Sequence, residues 1–249
     1  MKKPLFLFWL FSIVCVGAGI PYAFEVQRDV IAQSSFPLPL LVLISIVQTA
    51  VLLGVAIYLG SRAAKNIGLK VFSFQSEGVG VMPKIRNVFR VATPAGIISA
   101  AAIYIVDAIF SIVTPQMSLQ TIHVTMWKTV MASFYGGVVE EVLMRLFLMS
   151  VVAFILSKIF KLMSPVQNKL LMWSAIVISA VVFGLGHLPV TAAITTITPL
   201  IVLRAIVLNG IGGLIFGWLY WRKGLEYSIV AHFTADIFLL TLIPLLVSL

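Results

Sequence analysis

The fold of this chain follows from one stretch, VVEEVLMRLF at residues 138–147. It contains two adjacent carboxylates and a guanidinium, those of Glu140, Glu141 and Arg145. The apolar run around them extends over Thr129–Phe160, and about 20 apolar residues are enough for a helix to cross a bilayer. Each ionised group at the centre of such a helix costs roughly 2.5–3.5 kcal/mol. We therefore expect these three groups to pair, to face a wet cavity or to take part in chemistry.

The spacing within this stretch separates the two carboxylates. Glu141 and Arg145 are four residues apart, so on a helix they share a face and can form an ion pair. Glu140 points elsewhere and has no partner nearby in the sequence. The pattern therefore predicts a paired scaffold of Glu141 and Arg145, and it leaves Glu140 as the group that is free to act.

The composition indicates a membrane protein. Of the 249 residues, 61% are hydrophobic and 10% are charged, whereas soluble domains are about 45–50% apolar and about 25% charged. The apolar runs are too long, and alternate too little, for an outer-membrane barrel. We expect an all-α, polytopic transmembrane helical bundle of seven to eight spans, forming a single domain over residues 1–249. The candidate spans are Leu5–Phe24, Leu38–Gly60, Ala92–Val113, Thr129–Phe160, Leu171–Thr196, Ile201–Trp221 and Tyr227–Leu249.

The net charge of +9 comes largely from basic connections between the spans. Residues 61–91 read as a basic cytoplasmic loop, and under the positive-inside rule they place the N-terminus in the cytoplasm. We expect the bilayer, and not nucleic acid, as the partner of these charges, because no aromatic stacking platform accompanies them. Residues 1–128 then hold the N-terminal spans and this loop, and residues 129–249 hold the core of the site. The first span reads as an uncleaved helix, since it lacks a clear cleavage site.

The segment Leu188–Leu200 contains Pro189 and Pro199 and interrupts the helical pattern. Three arrangements stay open for it: a bent continuation of the fifth span, a re-entrant turn, or part of an eighth span. Prolines are tolerated at membrane depth only where neighbouring groups satisfy the freed backbone.

Two further spans carry ionisable residues. His187 lies in FGLGHLP at residues 183–189, and His232 and Asp236 lie in HFTAD at residues 232–236, four apart on one helix face. Polar motifs from three spans can together form a pocket in the core of a bundle. Asp107 and Arg204 are also intramembrane, and we expect them to pair with each other as a structural link.

Three motifs in this order, Glu140-Glu141-x-x-x-Arg145, Phe183-x-x-x-His187 and His232-x-x-x-Asp236, resemble those of the CPBP family. This family comprises intramembrane proteases, also called the Abi or type II CAAX prenyl endopeptidase family. The approach to the third motif is similar too, with Gly213-x-x-x-Gly217, Tyr220, Gly224-Leu225 and Ile229. The resemblance extends from about Thr129 to the C-terminus, and the earlier spans carry no motif.

The resemblance implies roles for the motif residues. Glu140 and His187 would activate a water molecule, with Glu141, Arg145 and Phe183 in support. His232 and the residue four positions later would stabilise an oxyanion or belong to a metal site. Many members have Asn at that last position, where this chain has Asp236. An ionised Asp cannot donate a hydrogen bond, so Asp236 is protonated, orients His232 or binds a metal.

The cofactor stays open at this point. Glu140, His187 and His232 could provide three ligands for Zn²⁺ or another divalent metal, with an open position for water. The chain lacks the His-Glu-x-x-His pattern of many zinc proteases. The same residues could also run a metal-free, glutamate-dependent hydrolysis.

The activity implied by the resemblance is hydrolysis of a peptide bond in a membrane-anchored or hydrophobic peptide, at a prokaryotic cell membrane. One alternative is a catalytically silent relative that acts as a membrane regulator or immunity protein. Another is a proton-coupled transporter that uses Glu140, Asp107 and Arg204 as a relay. No inverted repeat, which many transporters show, is visible in the sequence.

Overall fold

A computed structural model of the protein describes residues 3–73, 81–114 and 124–247. The regular elements of these residues are all helical, which confirms the predicted all-α class. The helices are α1 (Lys3–Val26), α2 (Arg28–Ala32), α3 (Leu38–Ile67), α4 (Val81–Ser111), α5 (Met126–Ile159), α6 (Lys169–Gly186), α7 (Leu188–Ala192), α8 (Pro199–Arg222) and α9 (Leu225–Leu246), with a 3₁₀ turn at Pro165–Gln167.

Seven segments of the described residues are long and apolar enough to cross a membrane: α1, α3, α4, α5, α6 with α7, α8 and α9. This confirms the polytopic bundle. The predicted loop at residues 61–91 is shorter than expected, because α3 continues to Ile67 and α4 already begins at Val81. Lysine and arginine are good helix formers, so a helix need not end where its apolar run ends. Within residues 61–91, residues 74–80 lie outside the described part, as do residues 248–249 of the last predicted span.

Within the segment Leu188–Leu200, residues Leu188–Ala192 are a bent continuation of the fifth span, and Pro199 and Leu200 begin the next helix. Helix α6 ends at Gly186, and His187 forms the joint to the short helix α7. Pro189 lies in the first turn of α7, where a helix needs no N–H group. Helix α8 begins at Pro199. Thr198 caps its first turn, because its hydroxyl oxygen accepts a hydrogen bond from the N–H of Ile201. His187 therefore lies at the end of a helix. An uninterrupted fifth span would have placed it within a helix.

Glycines allow α6 and α8 to pack with their backbones in contact. A Cβ atom on Gly184 would lie only 2.6 Å from the Cα of Ile206. Further along the same antiparallel pair, a Cβ on Gly213 would lie 2.6 Å from the Cβ of Ala180. Small residues at such positions are how helices associate closely within a bilayer, where no hydrophobic force drives them together.

Polar side chains link the helices at several levels. Asp107 and Arg204 form a buried ion pair between α4 and α8. This is the pairing expected from the sequence, and it commits two of the three members of the supposed proton relay, Asp107 and Arg204, to each other. Thr129 and Thr241 share a hydrogen bond of 2.7 Å that joins α5 to α9.

Helix α5 departs from α-helical geometry where it carries the motif. Tyr135–Glu140 and Val142–Met149 form π-helical turns. A π-turn contains more residues than an α-turn, so successive side chains are separated by roughly 80° instead of about 100°. Such turns are rare and occur often at functional sites. The sequence did not predict them.

Candidate active site

Helices α5 and α9 bring three carboxylates together around the imidazole of His232. Its Nδ1 lies 2.8 Å from Oε1 of Glu141, which makes Nδ1–H the donor to that carboxylate. Its Nε2 lies 3.7 Å from Oε2 of Glu140 and 3.6 Å from Oδ1 of Asp236. One imidazole thus stands between the two adjacent glutamates, with the aspartate on the side of Glu140.

This arrangement corrects the expectation that Glu140 points away from Glu141, although its neighbour His232 is, as expected, not close to it in the sequence. Both carboxylates reach the same ring, one at each nitrogen. The expectation assumed an α-helix, in which neighbouring residues diverge by about 100°. The π-turns of α5 narrow that angle, so the adjacent side chains can face one neighbour.

Glu141 is the structural hub of the cluster. Its side chain is 0% exposed and lies 3.3 Å from Nη1 of Arg145, which confirms the predicted pair. It also accepts hydrogen bonds from His232 and from the hydroxyl of Ser228. The contact with His232 and the role of Ser228 were not predicted. The signal for Ser228 was its place four residues before His232, on the same face of α9.

Aromatic rings enclose the buried charges. The guanidinium of Arg145 lies 5.0 Å from the ring centre of Phe183 and 5.6 Å from that of Phe216, a cation–π arrangement. Phe216 also stacks on His232, with ring centres 4.8 Å apart. Phe183 was predicted as a supporting residue, whereas nothing in the sequence singled out Phe216. These rings keep water away from the Glu141 side of the imidazole.

Gly136 makes room for the aspartate. A Cβ atom at this position would collide with Oδ2 of Asp236 and would lie 3.4 Å from Nε2 of His232. Any side chain here would therefore displace the carboxylate from the imidazole. The sequence carries one signal for this role, because Gly136 lies four residues before Glu140, on the same side of the helix.

The cluster has a closed side and an open side. Glu141 is fully buried, but the side chains of Glu140 and Asp236 keep 23% and 18% of their surface accessible. The accessible carboxylates are the two that face Nε2. A bare Nε2 lone pair would be repelled by both of them, so this corner of the site favours a shared proton. It is also the corner that a water molecule can reach.

His187 approaches the cluster through Phe183. Its Nδ1 lies 2.8 Å from the carbonyl oxygen of Phe183, which can only accept, so Nδ1 carries the proton and Nε2 is left as an acceptor. The Phe183 ring meets His187 and His232 edge-on, with ring centres 4.7 Å and 5.8 Å away. Within the described residues His187 forms no ion pair with Glu140. The structure thus joins Glu140, His232 and Asp236 directly, and His187 through an aromatic neighbour.

The predicted metal ligands do not form a metal site in this arrangement. In residues 3–73, 81–114 and 124–247, no group of three or more His, Cys, Asp or Glu side chains could hold a metal ion. One nitrogen of His232 is already bonded to Glu141, and Phe183 contacts both imidazoles of the proposed set. Zinc would need its nitrogen ligands about 2.0–2.1 Å away. The metalloprotease interpretation therefore has no support in the side-chain geometry, and no step below uses a metal.

The fold and the site define an integral membrane helical bundle with a carboxylate–imidazole cluster in its core. Residues 122–238 match the family model described as type II CAAX prenyl endopeptidase Rce1-like, and this match supports membership of the CPBP family. The matched residues include every predicted site residue. No curated protein and no solved structure matches the chain. At the level of the family, the match supports a CAAX-type intramembrane protease.

Proposed function

We propose that the protein hydrolyses a peptide bond in a membrane-associated peptide or protein, with Glu140 as the general base. The observation that carries the proposal is the approach of Glu140 and Asp236 to the same nitrogen of His232, at 3.7 Å and 3.6 Å. Both carboxylates are partly accessible, whereas Glu141 is sealed behind the imidazole. We therefore assign Glu140 to the chemistry and Glu141 to holding the imidazole of His232 in place.

The reaction needs one water molecule and one proton carrier. Glu140 takes a proton from the water, and the oxygen attacks the carbonyl carbon of the scissile bond. The tetrahedral intermediate then collapses, the C–N bond breaks, and Glu140 returns the proton to the departing amine. His187 presents the lone pair of Nε2, which can accept the second hydrogen of the water and hold it in place.

His232 and Asp236 complete the proposed machinery. Glu141 fixes the orientation of the imidazole through Nδ1, so that Nε2 always faces the open side. Asp236 lies on that side, four residues along α9, with its Oδ1 3.6 Å from Nε2. We assign Asp236 to orienting and charging His232, because an ionised carboxylate cannot replace the donor amide of the family's usual Asn.

The proposed substrate is a peptide that the bilayer brings to the site. The family description names prenylated CAAX proteins, in which a lipid is attached to a cysteine near the C-terminus. A hydrophobic peptide that enters from the membrane is the other member of this class.

The test uses the purified protein in liposomes with two probes, a farnesylated CAAX peptide and an unprenylated hydrophobic peptide. We expect the wild type to cut at least one probe at a single bond, with fragment masses that together exceed the probe by one water. Glu140→Gln should leave both probes intact, and Glu25→Gln, a matched change at an exposed position, should cut as the wild type does. Cleavage of neither probe by the wild type would favour a catalytically silent relative, and equal cleavage by Glu140→Gln would contradict the assigned base.

A further inference from the structure

The N-terminal helix α1 lies outside the matched residues 122–238, yet it packs on the π-turn of α5 that leads to the site. A Cβ atom on Gly19 would lie 2.9 Å from the Cβ of Tyr135, so the two helices touch there. Further along α1, Oε2 of Glu25 accepts a hydrogen bond of 2.7 Å from Nζ of Lys128. From Gly19 to Glu25 the residue numbers of α1 increase, whereas those of the contacted residues of α5 decrease from Tyr135 to Lys128. The two helices are therefore antiparallel.

Tyr22 lies between these two contacts, three residues from Gly19 and three from Glu25, so it faces α5. Helical side chains lean toward the N-terminus of their own helix. Because α1 and α5 are antiparallel, their side chains lean in opposite directions along the bundle. The side chains of Tyr22 and Glu140 therefore lean toward each other, and both point to the level of Gly136. Oδ2 of Asp236 occupies the space over Gly136.

Charge interactions agree with this placement. Tyr22 interacts electrostatically with Asp236 and with Glu140, although the three residues come from three different helices. Its side chain is half-buried. Within the described residues, its phenol hydroxyl makes no hydrogen bond to the protein. The hydroxyl is therefore an uncommitted donor on the face of α1 that is turned toward α5.

The residues of the family motifs offer one such donor, a proton on Nε2 of His232, which faces the open side, and they lack a second. The carbonyl oxygen of the scissile bond becomes an oxyanion and needs a hydrogen-bond donor aimed at it. Nδ1–H of His232 is bound to Glu141, and Asp236, where many family members have a donor amide, accepts when ionised. A phenol O–H can donate without adding charge beside two carboxylates.

We propose that Tyr22 is a further catalytic residue, whose phenol O–H donates a hydrogen bond to the carbonyl oxygen of the scissile bond as that oxygen becomes negative. This inference rests on the proposed hydrolysis. It means that the site is completed by α1, a helix that the family match does not include. Tyr22 forms no covalent bond and transfers no net proton.

The test measures kcat and KM with the farnesylated CAAX peptide and the unprenylated hydrophobic peptide, using whichever the wild type cleaves. We expect Tyr22→Phe to lower kcat about 100-fold with KM within about threefold, the usual effect of removing one oxyanion donor. Tyr58→Phe removes a phenol hydroxyl from α3 at a residue that is 46% exposed, and it should keep the wild-type kcat. Tyr135→Phe, beside Gly19, should also stay within about threefold. In each variant the phenyl ring of the new phenylalanine preserves the packing of the tyrosine that it replaces. All rates are normalised to the folded, monodisperse fraction of the protein.

Three results would overturn the proposal: a Tyr22→Phe kcat within threefold of wild type, an effect confined to KM, or a loss of kcat caused by Tyr135→Phe instead. Glu140→Gln, measured alongside, distinguishes a failure of the role of Tyr22 from a failure of the proposed hydrolysis. If Glu140→Gln is inactive while Tyr22→Phe is fully active, only the role of Tyr22 fails. If Glu140→Gln keeps its activity, the proposed hydrolysis fails first.

Discussion

Replacing Glu141 by glutamine should destabilise the protein far more than the same change at an exposed ion pair. Glu141 is 0% exposed and is the counter-ion of Arg145, which is itself 1% exposed. Glutamine keeps the size of the side chain and can still accept from Nδ1 of His232. It loses the charge, however, and leaves a guanidinium buried between two aromatic rings without a counter-ion.

The magnitude follows from the general cost of breaking a buried pair. Removing one partner of such a pair costs about 3–5 kcal/mol, because the remaining charge is buried and uncompensated. We therefore expect Glu141→Gln to lower the free energy of unfolding by about 3 kcal/mol or more. The double variant Glu141→Gln, Arg145→Met should regain part of this loss, since it removes the orphaned charge as well.

The assay is reversible unfolding in mixed micelles, followed by circular dichroism, with Glu25→Gln as the matched control. Glu25 pairs with Lys128 at 2.7 Å, but its side chain is 41% exposed, so the control should lose less than about 1 kcal/mol. Equal losses for Glu141→Gln and Glu25→Gln would refute the view of Glu141 as the hub. A double variant less stable than the single one would refute the assignment of the loss to Arg145.

Two pairs of glycine substitutions test the packing around the site. Gly136→Ala should lower kcat at least tenfold while the protein still folds, because the new methyl group displaces Asp236, whereas Gly210→Ala meets no atom within 4 Å and should leave kcat unchanged. Equal kcat values for these two variants would contradict the fit around Asp236. Gly184→Ala should destabilise the protein by about 1–3 kcal/mol, since its methyl group meets the backbone of α8 at 2.6 Å. Gly186→Ala, with no atom within 4 Å, should not, and a thermal melt that fails to separate the two would count against the close α6–α8 contact.

The features that the sequence predicted correctly depend on composition or on residues close together in the chain. Long apolar runs are sufficient to predict seven spans, since few alternatives can bury them. The pair of Glu141 and Arg145 follows from a spacing of four, which survives the change to π geometry. Asp107 and Arg204 could be paired by elimination, because two isolated charges in apolar helices need a counter-ion.

The features that it missed depend on how helices meet. The contact of Glu140 with His232 needs both the π-turns of α5 and the contact between α5 and α9, and neither leaves a clear pattern in the residues. Phe216 looked like any core aromatic residue until its stacking on His232 was seen. The bent continuation of the fifth span through α7 was one of three arrangements that the prolines allowed, and the residues of that segment do not by themselves choose among the three.

The central claim is that Glu140, and not its neighbour, activates the water. It is tested most directly by the cleavage rate of Glu140→Gln per folded molecule, with the membrane peptide that the wild type cleaves. A general base contributes about 10²–10⁴-fold, so we predict a loss of about 1,000-fold in kcat at wild-type stability. A rate within tenfold of wild type would contradict the claim and would remove Glu140 from the chemistry.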